Sequence, residues 1–378
     1  MDSTRELFPL GIAVGQAHCN RIVERQELST NTRNGVHTWI WARRRIGKTS
    51  LIEQVLRDIE PGVVTTRLDL LVIHDARDFQ SRLQSGVELL GARLAPRRSS
   101  STAKLARAFA AWRPEFSFGV MGMNLKLAAP VRSGEGVAEM LLALDAAAAS
   151  YRRRAVLVLD EFQQLANLQG GQSRSLEGAI RHAAEQANNV TFVFAGSQKH
   201  LLASMFENED RPLYRICRKM TLDRIEAGDY RTFLDGAGRA RWTQRISRTA
   251  VDRILTLTSR HPHYVNALCG SLWRADTPPD TDAVDAIWAR LVEEESGLVS
   301  ARVARLAASQ RALLRAIAVS EEGVPHPTSH GFLAPLRLPV STGVRARDAL
   351  EREDLIQREA DDRWRLVDPA MAACLRRL

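Results

Sequence analysis

Cysteine is scarce in this chain of 378 residues, and long apolar runs are missing from it. The four cysteines lie far apart and form no CxxC pair, which argues against a disulfide-stapled scaffold and a zinc knuckle. They are Cys19, Cys217, Cys269 and Cys374. Apolar stretches such as 155–159 and 191–196 are far too short to cross a bilayer. The N-terminal segment carries Asp2 and Glu6 and no long apolar run, so we expect no secretory signal and a cytoplasmic protein.

Lysine is also rare. Only five of the 53 Lys+Arg residues are lysine, so the remaining 48 are arginines spread along the whole chain. The 53 Lys+Arg residues against 44 Asp+Glu give a formal net charge of +9, which fits contact with nucleic acid but equally describes a generic arginine-coated surface. The hydrophobic content of 45% with 26% charged residues excludes wholesale disorder, and the length predicts two or three domains.

Short apolar runs alternate with helical patterns over residues 1–225. Several runs are apolar on both faces, as parallel strands covered by helices require. The predicted strands are His37–Ala42, Val63–Leu71, Ala155–Asp160, Thr191–Gly196 and Met220–Ile225. The predicted helices between them are Lys48–Ile59, Ala76–Leu94, Gly136–Arg153 and Ser175–Gln186. This alternation predicts an α/β fold with a parallel sheet.

One stretch departs from this alternation. Residues 114–130 alternate polar and apolar side chains around Gly119 and Gly122, which predicts an inserted hairpin. The preceding residues 97–101 are predicted to form an exposed loop. The hairpin would be either a docking element or a cover for the sheet edge.

The strand signal stops after residue 225. Residues 226–298 have helical apolar spacing, which predicts a helical domain. Residues 299–378 then show a helix at 308–319, a helix at 341–353 and two short strands around the turn 360–362. Helix, helix, hairpin is the order of a winged helix. We therefore predict three parts: a core at 1–225, a helical lid at 226–298 and a winged helix at 299–378.

The segment Ala42-Arg43-Arg44-Arg45-Ile46-Gly47-Lys48-Thr49 follows a predicted strand and opens a helix. This is the context of a phosphate-binding loop. Backbone N–H groups and the helix N-terminus would cradle phosphates, Lys48 would reach the β/γ oxygens and Thr49 would offer its hydroxyl to Mg²⁺. Ala42 replaces the usual first glycine, whereas Gly47 retains the second. The alternative is an ordinary helix start with a lone lysine.

A second motif follows the predicted strand 155–159, which ends in Asp160-Glu161. Carboxylates at the C-terminal edge of a central parallel strand lie where such sheets bind nucleotides. Asp160 would hold the water shell of Mg²⁺, and Glu161 would polarise the attacking water. The alternative is two acids facing solvent. Ser197, at the end of another strand, would either sense the γ-phosphate or cap the next helix.

Together these motifs resemble an archaeal-type ATPase of the MNS clade of STAND P-loop NTPases, AAA-like ATP-binding proteins related to origin-recognition initiators. The resemblance covers nearly the whole chain. The matching stretches are Asn20-Arg21-x-x-Glu24, Arg44-Arg45-Ile46-Gly47-Lys48-Thr49-Ser50-Leu51, Leu159-Asp160-Glu161-Phe162-Gln163, Gly196-Ser197, Met205-Phe206, Arg211-Pro212-Leu213-Tyr214, His261-Pro262-His263-Tyr264-Val265 and Leu366-Val367-Asp368-Pro369.

The resemblance implies roles for further residues. It implies that Asn20, Arg21 and Glu24 lie near the base and ribose, and that Pro262 approaches the adenine from the lid, although Arg260 replaces the glycine of the family's Gly-x-Pro. The nucleotide-binding loop would comprise Ala42, Arg43, Arg44, Arg45, Ile46, Gly47, Lys48, Thr49 and Ser50. The family often has Leu-Tyr-Gly-Arg where this chain has Leu-Tyr-Arg at 213–215. The arginine at the γ-phosphate is therefore Arg215, Arg211 or Arg218.

The resemblance implies an ATP- and Mg²⁺-binding switch with slow hydrolysis, whose nucleotide, bound between core and lid, repositions the winged helix to regulate a protein partner. One alternative is a DNA-binding initiator or loader, with Arg345, Arg347 and Arg352 presented to duplex DNA. However, residues 299–378 carry 13 arginines against 10 acidic residues, and helical ion-pair spacing leaves docking to protein equally open. Another alternative is a nucleotide-binding scaffold with negligible turnover. A homo-oligomer is also open.

Overall fold

The computed structural model describes residues 7–60, 62–95, 135–169 and 171–377. The predicted hairpin at 114–130 and the predicted loop at 97–101 lie outside these ranges. The chain forms two compact units: a core unit of Arg21–Arg44 and Lys48–Asp223, and a C-terminal unit of Met1–Asn20, Arg45–Gly47 and Arg224–Leu378. Within the described ranges, none of the helices is both long and apolar enough to pass through a membrane.

A five-stranded parallel sheet is the centre of the core unit. The strands are β1 (Thr38–Ala42), β2 (Val63–Asp69), β3 (Arg154–Asp160), β4 (Val190–Gly196) and β5 (Arg218–Leu222). They lie in the order β2-β3-β4-β1-β5, and each neighbouring pair is parallel. The predicted α/β fold with a parallel sheet is confirmed. In this order β4 separates β1, which precedes the phosphate-loop sequence, from β3, which ends in the acidic pair.

In the described residues of the core unit, six helices connect or cover these strands. They are α1 (Ile22–Arg33), α2 (Lys48–Ile59), α3 (Ala76–Leu94), α4 (Glu135–Ser150), α5 (Gln172–Gln186) and α6 (Lys199–Phe206). The strands β1 and β4 are buried along their whole length, because helices cover both faces of the sheet. A short 3₁₀ turn, Phe162–Asn167, follows β3 directly.

Element ends differ from prediction where local polar contacts turn the chain. The predicted strand 63–71 stops at Asp69, because its carboxylate accepts a hydrogen bond from the Leu71 N–H at 2.9 Å and starts a turn. The predicted helix 136–153 stops at Ser150, and Arg152 is left-handed with φ 52°.

An aromatic cluster lies beneath the C-terminal edge of this sheet. Phe162 packs against Phe194 of β4 with ring centroids 4.6 Å apart, and Phe206 of α6 stacks on Trp39 of β1 at 5.4 Å. Buried aromatic side chains contribute large apolar areas to a core. The 3₁₀ turn after the acidic pair is thereby anchored to β4, which fixes the exit of the chain from β3.

The C-terminal unit is mainly helical. Its helices are α7 (Ala227–Arg241), α8 (Arg248–Leu257), α9 (Pro262–Leu272), α10 (Thr281–Ala304), α11 (Ala308–Val319), α12 (His330–Leu333), α13 (Val340–Arg352) and α14 (Pro369–Arg377). The strands β6 (Ile356–Arg358) and β7 (Trp364–Leu366) form an antiparallel hairpin. The predicted helix–helix–hairpin order is present, and α12 and α14 add to it. The helix α10 runs across the predicted boundary at 298/299.

One apolar core joins α7–α10 to the later helices, from Phe8 through Trp288 to Met371. Polar contacts tie the same elements together. Arg224 donates to the Ser259 carbonyl at 2.7 Å and to the Val367 carbonyl at 3.1 Å. These contacts join the segment before α9 to the segment before α14 within the C-terminal unit.

His37 bonds to two other elements of the core unit. Its Nε2 lies 2.9 Å from the Ala184 carbonyl, and its Nδ1 accepts from the Phe192 N–H at 3.0 Å. The ring is therefore neutral, with its proton on Nε2. Burial lowers the pKa of His37 below its ordinary value, and the hydrogen bond to Ala184 offsets only part of that effect.

We therefore expect acid to destabilise the core unit. As the pH falls below about 6.5, His37 binds a proton in the unfolded chain but stays neutral in the folded protein. The free energy of unfolding therefore falls by up to about 1.4 kcal/mol per pH unit. The His37→Gln variant should be less stable at neutral pH but lose less Tm on acidification than the wild type. Thermal unfolding at several pH values measures this. An equal loss of Tm in both proteins on acidification would contradict this role of His37. His261, whose pKa is also lowered, adds an acid destabilisation of the same sign to both proteins.

Candidate functional site

The loop between β1 and α2 has two left-handed residues. Arg45 has φ 62° and Gly47 has φ 96°. A Cβ on Gly47 would meet no atom within 4 Å, so the backbone conformation and not the space requires glycine. Ala42, at the position of the missing glycine, ends β1 with its methyl fully buried. The chain thus runs from a strand through a tight loop into the N-terminus of α2, an arrangement that suits an anion.

Lys48, the first residue of α2, points at the acidic pair at the end of β3. The residue is 6% exposed, and its ammonium group makes an ion pair with Asp160 and lies 3.0 Å from Glu161 Oε1. The Thr49 hydroxyl donates to Asp160 Oδ2 at 3.1 Å. The fold therefore brings together two predicted pairs, Lys48-Thr49 and Asp160-Glu161, that are more than a hundred positions apart in sequence.

Glu161 is held from three sides. Its backbone is left-handed, with φ 55°. Its Oε1 accepts from Lys48, and its Oε2 accepts from Gln163 Nε2 at 2.6 Å and from the Ser197 hydroxyl at 3.3 Å. Ser197 makes no capping hydrogen bond to α6, whose N-cap is Gln198. The Ser197 hydroxyl contacts the Glu161 carboxylate instead, and a role for Ser197 at the γ-phosphate stays a prediction.

Gln163 and Gly196 are site residues whose roles could not be predicted from sequence patterns. The Gln163 side chain is 1% exposed, and its Oε1 has no hydrogen-bond partner among the described residues. A Cβ on Gly196 would lie 1.9 Å from that oxygen. The absence of a side chain at Gly196 therefore makes room for the amide that holds Glu161. Spacing along the chain carries no signal for such a fit.

Arg67 of β2 was also missed, because it reads as an ordinary strand residue. Its Nε donates to Glu53 Oε1 at 2.7 Å, and its Nη1 lies 3.4 Å from Asp160 Oδ2. Burial alone would lower the pKa of Arg67. The hydrogen bond to Glu53 and the charges of Asp160, Glu53 and Asp69 outweigh it, and the net pKa is raised.

The donor set fits Mg²⁺ and a phosphate group. Thr49 Oγ1 and Asp160 Oδ2 present two oxygen ligands 3.1 Å apart, and oxygen is the donor that Mg²⁺ prefers. Lys48 and the N-terminus of α2 supply the positive charge that phosphates need. The buried Asp160 carboxylate, 2% exposed, is meanwhile satisfied by Lys48, Thr49 and the Glu161 N–H.

The three arginines that are candidates for the γ-phosphate differ in the side-chain contacts that they make. Arg211 makes an ion pair with the fully buried Glu177 and donates to the Ser173 hydroxyl at 3.1 Å. Removing it would leave a buried carboxylate unpaired, which is costly. Arg215 is exposed, with φ 54°, and its guanidinium lies 5.0 Å from the Tyr214 ring centroid. Arg218 is exposed at the start of β5.

Asn20, Arg21 and Pro262, which we expect near the nucleotide base, each lie at or just before the start of a helix. Asn20 and Arg21 are both left-handed ahead of α1, with φ 47° and 55°. The buried Arg21 donates to Glu24 at 2.9 Å and to the Asp223 carbonyl at 2.7 Å. Pro262 is the first residue of α9, where its missing N–H costs no hydrogen bond. Contact of these residues with a base stays a prediction.

Two histidines flank Pro262 in the C-terminal unit. His261 is buried, and its pKa is lowered to about 3 by burial and by the positive charges of Arg224, His263 and Arg45. His263 Nε2 lies 3.1 Å from Arg45 Nη1, and burial with that arginine lowers the pKa of His263 as well. Both histidines therefore have pKa values below the ordinary value of the imidazole.

The arginines predicted for DNA contact lie on α13. Arg347 pairs with Asp348 at 2.5 Å, and its guanidinium lies 5.5 Å from the Trp364 ring centroid. Within the part of the chain that the structure describes, Arg345 and Arg352 make only long contacts of 3.4 Å, with backbone carbonyls one turn earlier. Arg347 is therefore engaged within the unit, whereas the other two guanidinium groups are held weakly.

We expect Gly196→Ala to destabilise the core unit by about 1–3 kcal/mol, because the new methyl displaces the Gln163 amide. Adding Gln163→Ala should recover part of the loss by removing the clash. Gly178→Ala is the matched control, since a Cβ there meets no atom within 4 Å and α5 gains helix propensity. Urea unfolding measures all four proteins. A Gly196→Ala variant as stable as Gly178→Ala would contradict the tight fit.

Comparison with known proteins gives matches at the level of structure. No protein-family model and no curated protein matches the chain. A Walker-type ATPase of Pyrococcus abyssi matches with TM-score 0.70 and 18% identity, over 98% of this chain and 99% of that chain. The ORC2 protein of Aeropyrum pernix, in ADPNP–ADP complexes, matches with TM-score 0.57 and 15% identity, over 99% and 96%. At these identities the likeness shows the fold alone: the chain has the α/β P-loop NTPase fold with additional C-terminal helices.

Proposed function

We propose that the protein is an ATP-binding, Mg²⁺-dependent P-loop ATPase. The observation that carries this proposal is the meeting of Lys48 and Thr49, at the start of α2, with Asp160 and Glu161 at the end of β3. The fold supports it, since similar structures include a Walker-type ATPase and an ORC2 protein in complex with ADPNP and ADP.

In this proposal Lys48 exchanges partners. It pairs with two carboxylates in the structure, and it would bind phosphate oxygens when ATP is present. Thr49 and Asp160 would hold Mg²⁺, which supplies charge neutralisation to the phosphates when bound. Asn20, Arg21 and Pro262 are proposed for the base and ribose, and residues 42–50 for the phosphates.

Glu161 would act as the base that orients the attacking water. Gln163 and Ser197 both hold Oε2, whereas Lys48 holds Oε1. When Lys48 turns to the phosphates, Oε1 becomes free while Oε2 stays fixed. The carboxylate is then oriented and has one oxygen available to accept a proton.

We assign the γ-phosphate arginine to Arg215 in preference to Arg211. Arg211 balances the charge of the buried Glu177, and its release would leave that carboxylate unpaired. Arg215 is exposed, and the contact of its side chain within the described residues is a cation–π contact with Tyr214. Slow turnover is part of the proposal, because among the described residues no carboxylate pairs with the exposed Arg215 to preorganise it.

We further propose a STAND-type switch in which the C-terminal unit regulates a protein partner. The Tyr264 hydroxyl of α9 donates to the Asp368 carboxylate at 2.8 Å, and Asp368 accepts from the Met371 N–H at the start of α14. The segment around Pro262 is therefore fastened to the last helix of the chain. A change at Pro262 would be passed to the predicted winged helix.

A DNA-binding initiator or loader is the second candidate. The net charge of +9 and the weakly held Arg345 and Arg352 favour it. Against it, arginines of the β6–β7 hairpin are neutralised internally: Arg365 pairs with Glu359 and Asp361 at 2.7 and 2.6 Å. The absence of a concentrated surplus of positive charge favours a protein partner. A homo-oligomer and a scaffold with negligible turnover stay predictions.

We expect Lys48→Ala to weaken ATP binding by about 10- to 100-fold, through loss of a charge-assisted hydrogen bond to phosphate. Titration with a fluorescent ATP analogue in Mg²⁺ measures the affinity, and circular dichroism checks that the variant is folded. Lys199→Ala is the matched control, because it removes a lysine that lies over the Trp41 ring, whereas Lys48 pairs with Asp160 and Glu161. Wild-type affinity in folded Lys48→Ala would refute the phosphate loop.

We expect Glu161→Gln to bind ATP but to hydrolyse it at least about 100-fold more slowly, because an amide cannot accept the proton. Steady-state phosphate release gives kcat, and the binding titration gives the affinity. Glu185→Gln removes a half-exposed carboxylate from α5 and serves as the control. Hydrolysis at the wild-type rate in Glu161→Gln would remove this residue from the mechanism.

A further inference from the structure

One oxygen of the Asp160 carboxylate contacts both a proposed metal ligand, the Thr49 hydroxyl, and a positive charge, the Arg67 guanidinium. Asp160 Oδ2 accepts from the Thr49 hydroxyl at 3.1 Å and lies 3.4 Å from Arg67 Nη1. Thr49 and Asp160 are the two oxygen ligands proposed for Mg²⁺. A guanidinium therefore lies beside the oxygen that would face the metal.

Arg67 is fixed in this position. It lies on β2, directly beside β3 in the sheet, and its side chain is 22% exposed. Its Nε donates to Glu53 of α2 at 2.7 Å, the shorter of its two ion pairs. The guanidinium is thus anchored by one carboxylate while it borders another. Unlike Lys48, it contacts the metal-facing oxygen and has no contact with Glu161 among the described residues.

We infer that Arg67 is a built-in electrostatic competitor of Mg²⁺ at Asp160, which lowers the metal affinity of the nucleotide site. The inference rests on the proposed function and deepens it. Like charges a few ångströms apart in a partly buried site repel strongly. Mg²⁺ at such sites is bound by one or two protein oxygens together with phosphates. With Arg67 present, the metal enters only with the negative charge of a nucleotide.

Glu53 sets the strength of this competition. Its carboxylate neutralises part of the Arg67 charge and holds the guanidinium on the α2 side. Removing the charge of Glu53 leaves the full positive charge of Arg67 to act on Asp160. Variants of the two residues are therefore expected to change the metal affinity in opposite directions.

The test is a Mg²⁺ titration of the full chain with a fixed concentration of mant-ADP after treatment with EDTA. ADP lacks the γ-phosphate, so the titration isolates the metal from contacts with that group. We expect Arg67→Gln to lower the half-saturating Mg²⁺ concentration about tenfold. Arg67→Lys keeps the charge and should stay near the wild type, and Glu53→Gln should raise the concentration.

The outcomes separate the inference from the function it rests on. An unchanged or higher half-saturating Mg²⁺ concentration in Arg67→Gln overturns the inference, provided that circular dichroism shows a folded protein. Equal shifts in Arg67→Gln and Arg67→Lys overturn it as well, because shape and not charge would then be responsible. If the wild type shows no Mg²⁺-dependent binding of mant-ADP, the proposed function fails and the inference with it.

Discussion

A buried ammonium group between two carboxylates is the contact on which the rest of the site depends. Lys48 is 6% exposed and pairs with both Asp160 and Glu161. A lysine so deeply buried is stable only while its charge is balanced. The same balance leaves it ready to exchange carboxylate for phosphate, so the pairing in the structure and the proposed binding of ATP are two uses of one charge.

The sheet order makes this contact available. The loop after β1 and the acidic pair after β3 are carried by strands that flank β4, and all three strands end at the same edge. Because parallel strands present their carboxyl ends together, Ser197 at the end of β4 reaches Glu161 as well. The aromatic contact between Phe162 and Phe194 keeps the turn after Glu161 on β4. This aromatic packing therefore helps to orient Glu161 and Ser197 at the C-terminal edge of the sheet.

The parallel sheet could be predicted from the sequence, because apolar runs and the residues at their ends are local patterns. Local patterns cannot show which side chains meet across the sheet. The Gln163 amide depends on the missing side chain of Gly196, and Arg67 reaches Asp160 only because β2 pairs with β3. The engagement of Arg211 by Glu177, which weighs against a catalytic role, is likewise a tertiary contact. The ends of β2 and α4 differ from their predicted positions because of local contacts and conformations. Asp69 starts a side-chain turn after β2, and Arg152 adopts a left-handed conformation after α4.

Steady-state ATP hydrolysis by the purified wild-type protein, measured with and without duplex DNA beside Lys48→Ala, tests the central claim most directly. We expect slow Mg²⁺-dependent phosphate release that is lost in the variant and unchanged by DNA, as the proposed switch acting on a protein partner requires. Phosphate release no higher than in Lys48→Ala would contradict an ATPase built on this lysine and its two carboxylates. Strong stimulation by duplex DNA would instead favour the initiator or loader.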